Sequence, residues 1–193
     1  MIKSHSAASL QLAVLLFSFV LQGQKTTLSF GSCHKMDDPN SDVILNTIAQ
    51  EQPEGFIWLG DIVYGKDGDP QDLTHKYQRL AEKPAYQTLK QYTQVYGIWD
   101  DHDYGMNDGG ADYKHKIQSR KDFFAFLELP KDHEAYQREG AYQAYDIGDN
   151  EHSIKLILLD NRYFKSPYTK SKEKGQRYQK DSVGTLLGKA QWE

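Results

Sequence analysis

The sequence contains a single cysteine, Cys33, so no disulfide bond can form within the chain. This excludes the small secreted folds that are held together by disulfides instead of a hydrophobic core. A lone cysteine is left with three roles, which are a buried and inert thiol, a bond to another chain, or a metal ligand. All three remain open for Cys33 on composition alone.

The chain also lacks a large excess of either charge, since 23 basic and 27 acidic residues give a formal net charge of −4. Nucleic-acid-binding domains usually carry a basic face, so we expect no nucleic-acid binding. The exception is a basic run over residues 165–180, which is typical of a solvated surface loop. Attraction of an anionic substrate toward a nearby site is its alternative role. Composition gives no indication of oligomeric state.

No apolar run is long enough for a comfortable membrane span. The longest, residues 10–21, falls short of the roughly 20 residues that a spanning helix needs. Lys3 precedes it and the small residue Gly23 follows, which is the arrangement of a secretory signal peptide; a buried core helix is the alternative. We therefore predict a signal peptide at residues 1–23, a mature domain at residues 24–193, no stable membrane anchor, and a secreted or periplasmic location.

Hydrophobic periodicity predicts an α/β fold. Apolar or alternating segments indicate strands at residues 27–32, 56–59, 95–99, 140–148 and 154–159, the second and last of them buried. Helical patterns fall at residues 43–50, 73–89 with a break near Pro84, and 114–129, and a further helix is predicted to open at Gly184 or Thr185. Alternation of strands and helices is typical of a largely buried sheet.

Polar clusters follow four of the predicted strands. Asp100-Asp101-His102-Asp103 places three carboxylates around one histidine, and such like charges repel unless a cation lies among them. The segment therefore indicates a metal site, with a solvated acidic turn as the alternative. The other clusters are Gly31-Ser32-Cys33-His34, Gly60-Asp61-Ile62-Val63-Tyr64 and Asp160-Asn161-Arg162. Because sites in open α/β sheets form at the carboxyl ends of strands, we expect the four clusters to meet.

Together these segments resemble the alkaline phosphatase D (PhoD-like) branch of the calcineurin-like metallophosphatases. The resemblance rests on the motifs Gly31-Ser32-Cys33, Leu59-Gly60-Asp61-Ile62-Val63-Tyr64, residues 99–108 and residues 159–164. It implies an αββα sandwich and an exported, metal-dependent phosphoric ester hydrolase that acts on phosphomonoesters or phosphodiesters through two metals. The alternative is a non-catalytic secreted fragment, or a calcium-stabilised binding module, of the same fold.

The resemblance also implies a role for each matching residue. The metal ligands are Cys33, Asp61, Tyr64, Asp101 and Asn107, with Asp61 bridging two metals and Tyr64 binding ferric iron. The implied cofactors are Fe³⁺ and Ca²⁺, or another divalent metal in place of Ca²⁺.

His102 is the catalytic residue that the resemblance implies for a phosphate ester substrate, and Arg162 is a second candidate because of its chemistry. His102 is a proton donor to the phosphate or leaving group, and Arg162 pairs with phosphate oxygens. The residues by themselves also allow purely structural roles. Cys33 is then a small buried hydrophobe, Tyr64 a packed aromatic ring, and Arg162 the ion-pair partner of Asp160 or another carboxylate.

One feature departs from the family pattern. No histidine follows His152, whereas the family completes the shell of its second metal with histidines from later segments. We therefore expect this chain to supply the N-terminal half or more of a longer αββα sandwich.

Overall fold

Three parallel strands form the central sheet in the computed structural model of the chain, which describes residues 25–149 and 151–193. Strand β2 (Gly55–Leu59) lies between β1 (Leu28–Gly31) and β3 (Gln94–Ile98). Three of the predicted strands are thereby confirmed. The predicted signal peptide lies outside the described residues. Within the described part of the chain, none of the helices combines the length and apolar character that a membrane crossing requires.

Helices make the crossover connections that parallel neighbours need. Helix α1 (Ser41–Glu51) joins β1 to β2, and helices α2 (Pro70–Ala81) and α3 (Pro84–Tyr92) join β2 to β3. The predicted break near Pro84 is confirmed, because proline lacks the backbone donor that a continuing helix uses. Helix α2 begins before the predicted start at Leu73, because the Asp69 carboxylate caps it by accepting the N–H groups of Gln71 and Asp72.

The second half of the chain adds two further helices and an antiparallel pair of strands. A single helical turn, α4 (Asp101–Tyr104), follows β3, and α5 (Lys116–Phe126) is shorter at both ends than the predicted helix over residues 114–129. A 3₁₀ helix, Glu134–Gln137, leads to strands β4 (Gln143–Gly148) and β5 (Ser153–Leu158), which pair with each other. The predicted α/β class is confirmed.

Aromatic contacts show how these elements are layered. Trp58 on β2 contacts Tyr86 on α3, with ring centroids 6.3 Å apart, so the helices cover that face of the parallel sheet. Tyr96 on β3 points to the opposite face and contacts Tyr145 on β4, with centroids 4.6 Å apart. The described residues therefore stack as helices, parallel sheet and antiparallel sheet, which places β2 in the middle with its first four residues buried.

The prediction that β5 is a buried strand is wrong. Leu158 is buried and Leu156 packs against the core, but Ile157 between them is 63% exposed. Successive side chains of a strand point to opposite faces, so a two-stranded sheet that packs on one side leaves the other face in solvent. An apolar run alone does not show whether both faces of a strand are covered.

The predicted helix opening at Gly184 or Thr185 is also wrong, since residues 182–192 form bends and turns. The Asp181 carboxylate accepts the N–H groups of Val183 and Gly184, at 2.9 and 2.8 Å, and so holds a turn there. Val183 is 94% exposed and Trp192 is 77% exposed, so the segment has no packed apolar face. Short helices depend on such packing, because their first turn is costly to form.

Candidate metal centre

The loops that follow β1, β2 and β3 meet at one edge of the parallel sheet, as predicted. The backbone N–H groups of Cys33 and His34 donate to the carbonyls of Gly60 and Asp61, at 3.3 and 2.8 Å, which joins the first two loops. Gly60 has a φ of +93°, and a Cβ there would lie 2.5 Å from the Cβ of Asp100. Glycine is thus needed both for the backbone conformation and for the close approach of the β2 and β3 loops.

A compact group of side chains of the types that bind metals lies at this edge. Asp61, Asp101 and His102 each offer a ligand atom, and these atoms all lie within 4.8 Å of one another. The Oδ2 atom of Asp61 accepts a hydrogen bond from the Tyr64 hydroxyl at 3.0 Å and lies 3.8 Å from the Cys33 Sγ. Cys33 is exposed, so the alternative that it is a buried hydrophobe is wrong. Five predicted site residues are therefore neighbours.

The other carboxylate oxygen of Asp61, Oδ1, is buried and has no hydrogen-bond partner among the described residues. Buried polar atoms are normally paired, because an unpaired one costs about 1–3 kcal/mol. The backbone at Asp61 is also held in a left-handed conformation, with φ of +51°, and so is that of Cys33, with φ of +52°. Such conformations are rare for residues with a side chain and cluster at functional sites.

The ring of Tyr64 lies against that of His102, with centroids 4.6 Å apart and an angle of 39° between the planes. This contact orients the imidazole beside the carboxylates. Burial raises the pKa of Tyr64, and the hydrogen bond to Asp61 raises it further, so the hydroxyl is a donor to the carboxylate here.

Arg162 reaches the same group from the loop after β5. Its Nε and Nη2 atoms lie 2.6 and 2.5 Å from Oδ1 of Asp100, and Nη2 lies 3.9 Å from Oδ2 of Asp101. The ion pair is with Asp100; Asp160 accepts only the backbone N–H of Arg162. Burial raises the pKa of Asp100, and the Arg162 guanidinium opposes that rise. A cationic side chain thus lies at the rim of the carboxylate group.

Asn107 lies beside this group without joining it. Its side-chain amide is 3.3 Å from Oδ2 of Asp108, and its backbone N–H donates to Asp67. The link to the centre is Asp108, whose backbone N–H donates to Oδ2 of Asp101 at 2.8 Å. Sequence reasoning missed Asp108, and no local signal identifies it.

The buried Asp103 side chain holds the loops that follow β2 and β3 in place. It is fully buried, and its carboxylate accepts the backbone N–H groups of Asp61, Ile62 and Asp100 at 3.1, 3.0 and 2.7 Å. Burial raises the pKa of Asp103, and these donors oppose the rise. This residue fixes the backbone on either side of the predicted ligands, in keeping with a supporting role for the third carboxylate of the Asp100–Asp103 segment.

Asp160 has the same role for the loop after β5. Its buried carboxylate accepts the Trp99 indole N–H at 2.9 Å and the backbone N–H groups of Ala141, Arg162 and Tyr163. The two sheets are thereby joined next to the candidate centre. A carboxylate directly after an apolar strand, two residues before an arginine, is the sequence signal that would have identified this turn.

Comparisons with known proteins bear on the fold. No family model matches the sequence, and no curated protein sequence matches it. The solved structure of PhoD is similar, with a TM-score of 0.63 and 16% sequence identity over 86% of this chain. The chain covers 38% of the length of that structure. At this identity the similarity shows the fold alone, and it confirms the PhoD-like α/β fold that the motifs predict.

Proposed function

We propose that this chain contributes to an exported, metal-dependent phosphoric ester hydrolase that acts on phosphomonoesters or phosphodiesters. One observation carries the proposal: the carboxylates of Asp61 and Asp101 and the imidazole of His102 have atoms within 4.8 Å of one another where the strands of a PhoD-like fold end. Export rests on the signal-peptide pattern of residues 1–23, and residues 24–193 are proposed as the metallophosphatase domain.

The donor set fits a pair of metal ions. Carboxylate and phenol oxygens suit a hard trivalent ion such as Fe³⁺, and carboxylate and amide oxygens suit Ca²⁺ or another divalent ion. The unpaired buried oxygen of Asp61 is an acceptor that a cation would satisfy. Cys33, Asp61 and Tyr64 would hold one ion, and Asp61 and Asp101 would hold the second with Asn107 nearby. A bound metal pair supplies positive charge to the phosphoryl oxygens and lowers the pKa of water.

His102 is the proposed proton donor to the oxygen of the leaving group. Its ring is partly exposed, is oriented by Tyr64 and lies beside Asp61 and Asp101. General acid catalysis of this kind contributes about 10²–10⁴-fold to a rate.

Arg162 is the proposed binding group for phosphate oxygens. Its side chain is 13% exposed, and the two contacts with Asp100 hold the guanidinium in one orientation at the rim of the group. A fixed planar guanidinium can donate two parallel hydrogen bonds to a phosphoryl group. Because Asp160 accepts the backbone N–H of Arg162, the loop that carries the side chain is fixed as well.

The test measures the metal content of the purified full-length protein and its hydrolysis of bis(p-nitrophenyl) phosphate. We expect Asp61→Asn to lose bound metal, and His102→Gln to keep metal while lowering kcat by about 10²–10⁴-fold. The matched controls are Asp132→Asn and His75→Gln, which change exposed side chains and should behave like the wild type.

Two results decide against the proposal. A folded protein without metal and without turnover would overturn it. Calcium-dependent stabilisation without hydrolysis would instead establish the non-catalytic binding module, provided that His102→Gln shows the same calcium-dependent stabilisation.

A further inference from the structure

A basic hairpin lies beside the candidate metal centre. We call residues 165–180 the basic arm. Its cationic residues are Lys165, Lys170, Lys172, Lys174, Arg177 and Lys180, against the single acidic residue Glu173. The chain as a whole is negatively charged, so this concentration of positive charge is a local feature that the proposed metal chemistry does not use.

The basic arm is a formed structure. Lys170 and Tyr178 make an antiparallel bridge, and the Gln179 N–H donates to the Thr169 carbonyl at 2.8 Å. The rings of Tyr168 and Tyr178 stack, with centroids 4.4 Å apart and 16° between the planes. Lys165 Nζ lies 3.6 Å from the centroid of the Tyr168 ring, a cation–π contact. These contacts hold the backbone of the basic arm and the Lys165 side chain in place before a ligand binds.

Asp108 connects the basic arm to the metal centre. Its Oδ2 atom lies 2.5 Å from Nη2 of Arg177 and accepts the Tyr178 hydroxyl at 2.6 Å. Its carbonyl accepts Lys165 Nζ at 3.0 Å. The backbone N–H of Asp108 donates to Asp101, a proposed ligand, so one residue separates the arm from the centre.

A cavity of about 410 Å³ lies between the basic arm and the loop before α5, which we call the arm cavity. This volume is within the range of about 300–1,000 Å³ that small-ligand sites have. Lys114 and Lys170 line it from opposite sides. Both are exposed, and among the described residues neither takes part in an ion pair. Asp112 also lines the arm cavity, while Asp108 is already paired with Arg177.

We propose that the arm cavity binds a second anionic group of the substrate, so that the preferred substrate is a phosphate ester with another phosphate or carboxylate. This inference rests on the proposed hydrolase function. Lys114 and Lys170 supply the charge, the stacked tyrosines form the wall, and Asp108 links the basic arm to the metal centre. The arm therefore determines specificity, while the metal centre determines chemistry.

The experiment compares two esters that differ by one phosphate. They are the p-nitrophenyl ester of thymidine 5′-phosphate and the same ester with a 3′-phosphate. We expect the wild type to hydrolyse the 3′-phosphorylated ester with a kcat/KM about fivefold higher or more, in line with one or two partly exposed charge contacts. Lys114→Gln and Lys170→Gln should each reduce that preference by about two- to fivefold, and added salt should reduce it too. Lys121→Gln, an exposed lysine on α5, is the matched control.

The outcomes separate this inference from the proposed function. Equal kcat/KM for the two esters, or an equal effect of Lys121→Gln, overturns the role of the arm cavity while leaving the hydrolase in place. If neither ester is hydrolysed, calorimetry with thymidine 3′,5′-bisphosphate and thymidine 5′-phosphate decides. If the wild type binds the bisphosphate more tightly than the monophosphate and Lys170→Gln loses this difference, the role of the arm cavity is supported. Equal binding of the two nucleotides by the wild type overturns that role.

Discussion

Replacing Asp160 by asparagine should destabilise the protein by breaking the hydrogen bonds that join the two sheets. Oδ1 of Asp160 accepts three donors, the Trp99 indole and the backbone N–H groups of Arg162 and Tyr163. Oδ2 accepts the N–H of Ala141 at 2.7 Å. An asparagine that keeps its oxygen at the first position turns its own N–H₂ toward Ala141, so one acceptor is lost and two donors face each other.

The size of the effect follows from these contacts. A buried donor without a partner costs about 1–3 kcal/mol. The three remaining hydrogen bonds also weaken, because bonds to a charged acceptor are roughly twice as strong as those to a neutral one. We therefore expect a loss of about 2–3 kcal/mol, which lowers the melting temperature of a chain of this size by about 5–10 °C.

Circular dichroism at increasing temperature measures the change in Asp160→Asn. The matched control is Asp146→Asn on β4, where the carboxylate is exposed and pairs with Lys155 at 2.6 Å. A surface pair contributes about 0–1 kcal/mol, so the control should melt within about 3 °C of the wild type. A melting temperature for Asp160→Asn equal to that of the control would refute the assignment of Asp160 as the joint between the sheets.

Two further predictions test backbone and charge. Gly60→Ala should lower the free energy of unfolding, measured in urea, by more than Gly175→Ala does. Both glycines have positive φ, but only at Gly60 would a Cβ meet Asp100. Equal losses of unfolding free energy in the two variants would contradict this. The Arg79 guanidinium lowers the pKa of Asp37, so the ion pair contributes stability above the unfolded pKa of about 3.9 and loses it as the pH falls through the lower, folded value. Carboxyl NMR titration should find a higher midpoint for Asp37 in Arg79→Gln, and an unchanged midpoint would argue against the ion pair in solution.

Local signals account for the parts of the fold that the sequence predicted. The apolar run at residues 56–59 and the proline at position 84 act within a few residues, so the central strand and the break between α2 and α3 are readable from the chain itself. The burial of β5 is different, because Ile157 is exposed or covered according to what packs on the far face of its sheet. Periodicity describes a side chain's direction, and neighbours determine its environment.

Some contacts of the candidate site were also predictable from the sequence, and others were not. Asp61 and Asp101 follow apolar strands, and parallel pairing brings the ends of those strands together, so their proximity was predictable. The contacts of Asp108 with Arg177 and Tyr178 join positions about 70 residues apart and depend on the path of an irregular loop. No spacing rule predicts such a contact. The roles of individual ligands remain predictions that the metal analysis of Asp61→Asn and Tyr64→Phe would test.

Residues with a left-handed backbone conformation at the candidate metal centre lower the stability of the protein at the place where the proposed function lies. Among the described residues, five positions other than glycine have positive φ, and three of them are Cys33, Asp61 and Asp108. Each such conformation costs of order 1 kcal/mol or more, which glycine would relieve. Selection of a random library for thermal stability alone should therefore enrich glycine at these positions, which would remove the proposed ligands Cys33 and Asp61 and the linking residue Asp108. Their persistence under joint selection for stability and hydrolysis would show that the strain is maintained for the chemistry.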